Sequence, residues 1–192
     1  MKIRTMVYAS LFAAIIGALG LLPPIVTPFT PVPITAQTLG VMLAGSILGA
    51  KRGGLSLLLF VLLVTFGAPL LSGGRGGLGV LFGPSGGYIM AWPFAAFFIG
   101  FFVERFWKKL NIGLYIVFNV VGGILLVYAF GVTYLSWITE TPWTKAMWAA
   151  LIFIPGDLVK VVVASLLARQ LNRVYPIIGK EDRRSNERTN AA

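Results

Sequence analysis

The chain has 192 residues, 57% of them hydrophobic and only 11% charged, a balance far outside the range of soluble domains and characteristic of an integral membrane protein. It contains no cysteine and no histidine, so disulfides, thiolate chemistry, zinc sites and imidazole acid/base catalysis are excluded together, and with them most enzyme classes. The formal charge of +10 does not point to nucleic acid, because the basic residues fall in short clusters between apolar segments, the pattern by which a bilayer orients a protein.

Residues 5–22 read as a retained first span: Lys2 and Arg4 precede it, and no small-x-small cleavage site followed by a soluble domain appears. Its small residues fall at helical spacing, Ser10, Ala14 and Ala18 on one stripe and Ala9, Ala13 and Gly17 on the next, so this helix is predicted to pack tightly on another, inside the chain or in a partner. Residues 22–33 carry Pro23, Pro24, Pro28, Pro31 and Pro33, which rules out a regular helix and predicts an uncharged connecting loop. Two short spans follow, 35–48 and 53–66, with a tight hairpin predicted at 51–54; both fall below the ~20 residues of a full crossing.

Residues 67–87 form a second irregular stretch, rich in glycine and too apolar to stay in water. Its glycines suit either a packed lid or a phosphate cradle, but no G-x-x-x-x-G-K-[ST] occurs anywhere in the chain, so an ATP site is not expected and the lid is the favoured reading, with Arg75 its only charge. The fourth span is predicted over 88–103 and the fifth over 113–137, with Asn119 placed for a hydrogen bond between helices. Trp92, Trp107, Trp137, Trp143 and Trp148 mostly fall near span ends, as interfacial anchors do.

The sixth span, 144–171, holds Asp157 and Lys160. Ionisable groups cost a few kcal/mol or more in hydrocarbon, and positions three apart share a helix face, so the two can point into one cavity. Pro155 is expected to free polar backbone beside them. A functional site and a structural ion pair locking helices together both satisfy the pattern. With both termini cytoplasmic, thirteen lysines and arginines (2, 4, 51, 52, 105, 108, 109, 169, 173, 180, 183, 184, 188) lie inside against Arg75 and Lys145 outside. The expectation is therefore an all-α integral membrane protein of six transmembrane helices, its two irregular loops on the outer face capping a binding cavity. Residues 1–178 would form the single membrane domain and 179–192 a polar cytoplasmic tail.

Four stretches, Pro31-Val-Pro-Ile-Thr-Ala-Gln-Thr38, Pro69-Leu-Leu-Ser-Gly-Gly-Arg-Gly-Gly77, Gly83-Pro-Ser-Gly-Gly-Tyr88 and Ile154-Pro-Gly-Asp-Leu-Val-Lys160, together resemble the BioY family, the biotin-specific capture (S) components of energy-coupling factor transporters. The resemblance implies a non-enzymatic subunit of the cell membrane that binds biotin from outside, uses no cofactor, and works with a membrane coupling (T) component and two ATPase subunits. It places ligand contacts at Asp157, Lys160 and Arg75, with Tyr88, Ser85 and Gln37 as further candidates that also fit an interface tyrosine, a turn serine and a helix cap. Some family members carry a basic residue directly after Gly-Gly-Tyr; this chain has Ile89 there, leaving Arg75 as the counter-ion for a substrate carboxylate. The face of Ser10, Ala14 and Ala18, with Ala9 and Ala13 beside it, matches in character the family's docking surface for the coupling component. The chemistry agrees: Asp157 can accept from the ureido N–H groups of biotin and Lys160 can donate to its carbonyl, as charge-assisted hydrogen bonds. The alternatives are a stand-alone carrier for a small vitamin-like anion, in which Asp157 takes up a proton, distinguished by uptake without any ATPase, and a purely structural membrane scaffold, distinguished by the absence of a saturable ligand.

Overall fold

Prolines and glycines mark several of the helix boundaries. The computed structural model describes residues 3–178; the tail expected over 179–192 lies outside the described residues. Helix α1 (Ile3–Gly20) closes at Gly20, where a Cβ would overlap the Leu70 carbonyl oxygen. The proline-rich stretch is an antiparallel hairpin, β1 (Ile25–Thr27) and β2 (Thr30–Ile34), and not a structureless loop. A sheet of two strands consists only of edges, the setting in which strand prolines are tolerated.

Helices α2 (Gln37–Leu48) and α3 (Ala50–Thr65) are joined at Gly49, whose φ of 83° lies in the left-handed region that glycine enters freely. The hairpin predicted at 51–54 is thus displaced, and those residues form the first turn of α3. Gly53 serves close packing instead: a Cβ there would lie 2.8 Å from the Ala44 carbonyl oxygen. Glu104 Oε1 fixes the true turn by accepting the Ala50 N–H at 3.0 Å.

After α3 the chain doubles back between Leu71 and Arg75, which exchange backbone hydrogen bonds of 3.0 and 3.2 Å across Gly73 and Gly74. It then makes the single turn α4 (Leu78–Leu81) before α5 (Gly86–Arg105). α6 (Ile112–Val120) and α7 (Val127–Ile138) are joined by a π-helical segment, Val121–Leu126, into one run, Ile112–Ile138. The last segment, expected as one helix over 144–171, is two: α8 (Trp143–Ala150) and α9 (Ile154–Val174), separated by a 3-10 turn at Leu151–Phe153. Pro155 stands in the first turn of α9, where its missing N–H has no helical partner to lose, so it starts a helix instead of opening one.

Among the described residues, four elements are long and apolar enough to cross a bilayer: Ile3–Gly20, Gly86–Arg105, Ile112–Ile138 and Trp143–Val174. Helices α2 and α3, with 12 and 16 residues, are shorter than the ~20 of a full crossing, so the six predicted spans resolve into four long elements and one short helical hairpin. Met42, Leu48, Leu57, Phe60, Ile99 and Val103 are fully buried between α2, α3 and α5, while Phe94, Phe97, Phe101 and Leu166 are exposed on the outside, as suits a lipid-facing surface. Trp137, Trp143 and Trp148 are exposed, as anchors should be, but Trp92 is buried.

Candidate functional site

The two irregular stretches meet the helices around one cavity. Its wall is built by β2 and the start of α2 (Val32, Pro33, Ile34, Thr35, Gln37, Thr38), the doubled-back loop (Leu71, Arg75), Ser85 and α5 (Tyr88, Ile89, Trp92), α7 (Val127, Tyr128), and Phe153 with α9 (Asp157, Lys160). About 60 Å³ admits the centre of a water molecule, and about 570 Å³ is free of atoms when the open mouth is counted. All six residues named from the sequence, Asp157, Lys160, Arg75, Tyr88, Ser85 and Gln37, lie on this wall.

Asp157 and Lys160 form an ion pair across one turn of α9, Lys160 Nζ to Asp157 Oδ1 at 2.7 Å, with side chains 6% and 15% exposed. Burial of both charges is costly unless their remaining lone pairs and protons are satisfied. Here Tyr128 donates to Asp157 Oδ2 at 2.6 Å, Lys160 also donates to Thr38 Oγ1 at 2.9 Å, and the Thr38 hydroxyl lies 3.4 Å from Asp157 Oδ1. Placing Asp157 in the first turn of α9 adds the favourable end of the helix dipole. Because Pro155 and the 3-10 turn break the segment just before it, that helix end falls inside the protein.

Gln37 and Arg75 are linked by one chain of hydrogen bonds. Gln37 Nε2 donates to the carbonyls of Ile16 (3.1 Å) and Leu70 (3.0 Å), its Oε1 accepts from the Ser72 N–H (3.2 Å), and Arg75 Nε donates to the Ser72 carbonyl (3.1 Å). Gln37 thus ties α1, α2 and the loop together and holds the turn that presents Arg75; it is not a helix cap. Ser85 and Ile89 line the wall beside Tyr88, and buried Ile89 makes that part of it apolar.

Thr38, Tyr128, Trp92 and Phe153 line the cavity without being site candidates from the sequence, where Trp92 reads as an interfacial anchor. Tyr128 depends on the π segment. Asn119 and Tyr128 are nine residues apart, and in an ideal α-helix of about 100° per residue they would sit about 180° apart. A π turn absorbs one residue and reduces the difference to about 80°. That equals the separation of Ser165 and Asp157, eight residues apart on α9, also about 80°. Both pairs therefore meet: Asn119 Nδ2 donates to Ser165 Oγ at 3.1 Å, and Tyr128 reaches Asp157. The sequence trace of this device is Gly122-Gly123, where α5 and α2 press close: a Cβ on Gly122 would overlap Ile99, and one on Gly123 would lie 2.6 Å from Met42 Cε.

Asn119 does bond between helices, accepting from Ser46 Oγ at 3.1 Å as well, and Asn172 Nδ2 continues the network to the Ser46 carbonyl and Tyr115 OH. On α1, Ser10, Ala14 and Ala18 are exposed, whereas Ala9 and Ala13 are 4% exposed and face inward. Ser10, Ala13, Ala14, Gly17, Ala18 and Leu21 line an open groove of about 540 Å³ completed by Leu59, Leu63 and Leu70.

A bundle of bilayer-length apolar helices around a small, mostly apolar cavity, its wall carrying a hydrogen-bonded ion pair and a loop arginine, defines a membrane-embedded binder of a small polar-tipped molecule. The chain matches the BioY family over residues 1–177 and belongs to it. It is similar to the biotin transporter BioY of Rhizobium etli, 48% identical over 93% of this chain and 98% of that protein, and to the probable biotin transporter BioY of Bacillus subtilis, 44% identical over 92% and 95%. Its fold is similar to the crystal structure of the S-component for biotin from an ECF-type ABC transporter, with a TM-score of 0.86 and 37% identity over 90% of this chain and 92% of that one.

Proposed function

We propose that the chain is the biotin-capturing S component of an ECF-type importer. The observation that carries this reading is the Asp157–Lys160 pair on the wall of the cavity, which also carries Arg75 from the doubled-back loop. A carboxylate offers about four acceptor sites, and Lys160, Tyr128 and Thr38 use three of Asp157's, leaving room for a ureido N–H. Lys160 has three N–H donors and spends two, on Asp157 and Thr38. The third can meet the ureido carbonyl. Asp157 and Lys160 cancel, so the cavity's charged side chains sum to the single positive charge of Arg75, which matches the carboxylate of the valeryl chain. The apolar wall of Val127, Ile89 and Phe153 suits the thioether ring between the two ends.

In this reading six segments cross the cell membrane, the short α2–α3 hairpin included, with both termini in the cytoplasm and the two irregular stretches outside. Residues 1–178 are one membrane domain and 179–192 a cytoplasmic tail. The exposed stripe of Ser10, Ala14 and Ala18 is the docking face for a membrane coupling component, which brings two ATPase subunits and the energy for release; this chain is not an enzyme and needs no cofactor. The test is an equilibrium titration of the purified protein with biotin, riboflavin and thiamine. One-to-one binding of biotin alone is expected, with most of the affinity lost in Asp157→Asn; selective binding of another vitamin, or wild-type affinity in that variant, overturns the reading.

A further inference from the structure

Four buried side-chain polar atoms among the described residues lack a hydrogen-bond partner: Thr27 Oγ1, Tyr88 OH, Trp92 Nε1 and Asn172 Oδ1. Two of them, Tyr88 OH and Trp92 Nε1, belong to residues one turn apart on α5 that line the cavity. Trp92 is 4% exposed and its indole N–H is a donor with no acceptor function, so it stays unsatisfied until an acceptor arrives. A buried donor left unpaired is destabilising, which makes this an expensive feature unless a ligand completes it. The ring is well held, its centroid 6.0 Å from that of Phe60 on α3, so the N–H cannot easily turn away to another partner.

The charged side chains of the cavity each have partners already. Asp157 and Lys160 serve one another, Tyr128 and Thr38, and Arg75 is anchored on Ser72. Tyr88 and Trp92 are the cavity residues with an unpartnered buried polar atom, and of the two only the Trp92 N–H strictly requires an acceptor oxygen. That oxygen belongs to an uncharged group. Trp92 lies about 9 Å along α5 from its start at Gly86, by the helical rise of about 1.5 Å per residue, whereas Arg75 belongs to the doubled-back loop that closes on Leu71. A carboxylate is drawn to the guanidinium, and a neutral carbonyl is the acceptor that can be buried against a neutral donor.

We propose that Trp92 is a specificity-determining residue whose indole N–H reads the ureido carbonyl oxygen of the ligand, on the lone pair that Lys160 leaves free. The assignment rests on the biotin reading above. It separates ligands that carry a carbonyl at that position from analogues of the same shape that carry a donor there.

The experiment compares wild type with Trp92→Phe, and with Trp92 replaced by benzothienylalanine, which keeps the bicyclic shape and loses the N–H. Affinity is measured for biotin, for biotin methyl ester and for 2-iminobiotin in its protonated form, which presents donors where biotin has the carbonyl. Both replacements are expected to weaken biotin and its methyl ester about tenfold, the worth of one well-made hydrogen bond, and to leave the already weak binding of 2-iminobiotin unchanged. The melting temperature of the ligand-free protein should stay the same or rise in the benzothienylalanine protein, because an unsatisfied donor has been removed; a fall would show that the indole N–H has a partner without ligand and overturn the proposal. Unchanged biotin affinity in both replacements overturns the proposal, as does loss of the effect on esterification, which would assign the indole to the carboxylate. Failure of the wild type to bind biotin appears before any variant is made and overturns the functional reading instead.

Discussion

Replacing Lys160 by methionine separates a ligand site from a helix lock. The substitution removes the cation 2.7 Å from Asp157 Oδ1 and leaves the carboxylate with Tyr128 at 2.6 Å and the weaker Thr38 contact at 3.4 Å. Removing one partner of a buried pair costs about 3–5 kcal/mol; with Lys160 15% exposed and Tyr128 still donating, the lower end applies, about 3 kcal/mol. Exchanging both charges for apolar groups, Asp157→Leu with Lys160→Met, is neutral or stabilising in comparable sites. It orphans the Tyr128 hydroxyl, at about 1–2 kcal/mol. Ligand-free thermal unfolding in detergent should therefore show a drop of roughly 9 °C for the single variant and roughly 4 °C for the double, at about 3 °C per kcal/mol for a chain of this size. Titration should show biotin binding lost in both. A double variant at least as unstable as the single one would make the pair a helix lock, and a double variant that binds biotin within about threefold of wild type would remove Asp157 and Lys160 from the site.

Tyr128→Phe deletes a hydrogen bond to a charged group, and biotin affinity measured by calorimetry should fall about tenfold or more. Deleting exposed Leu125, which turns the π segment into regular helix, leaves eight steps between Asn119 and Tyr128 and the same separation of about 80°, so biotin affinity should stay within about threefold of wild type; a loss as large as that of Tyr128→Phe would refute the register argument. Arg75→Gln should weaken biotin at least tenfold and leave biotin methyl ester unchanged, read by competition between the two. Ala14→Trp, on the exposed face of α1, should keep wild-type biotin binding in the purified protein and abolish ATP-dependent uptake in vesicles carrying the complete transporter.

Charges in an apolar segment are legible because hydrocarbon makes each of them expensive, so Asp157 and Lys160 announce themselves, and Arg75 does so as the sole charge of a long apolar loop. Thr38, Tyr128 and Trp92 carry no such penalty on the page. A threonine at a helix start, a tyrosine in a span and a tryptophan near a span end each have a commoner role, and only the cavity separates the roles. Glycine is ambiguous in a second way. It enters a sequence for a left-handed turn or for close packing, and composition does not say which. Gly53 and Gly54 suggested the α2–α3 turn, yet the turn needs only Gly49, and a Cβ on Gly54 would stand 3.3 Å from Phe97 Cβ. Gly122-Gly123 hides the larger consequence. Counting residues along a regular helix puts Tyr128 and Asn119 on opposite faces, so no reading by helical periodicity could have given both to α9. The position of Tyr128, and with it the second oxygen of Asp157, is set by one residue absorbed in a π turn, which makes the rotation accumulated between Asn119 and Tyr128, more than the identity of the side chains between them, the quantity the site depends on.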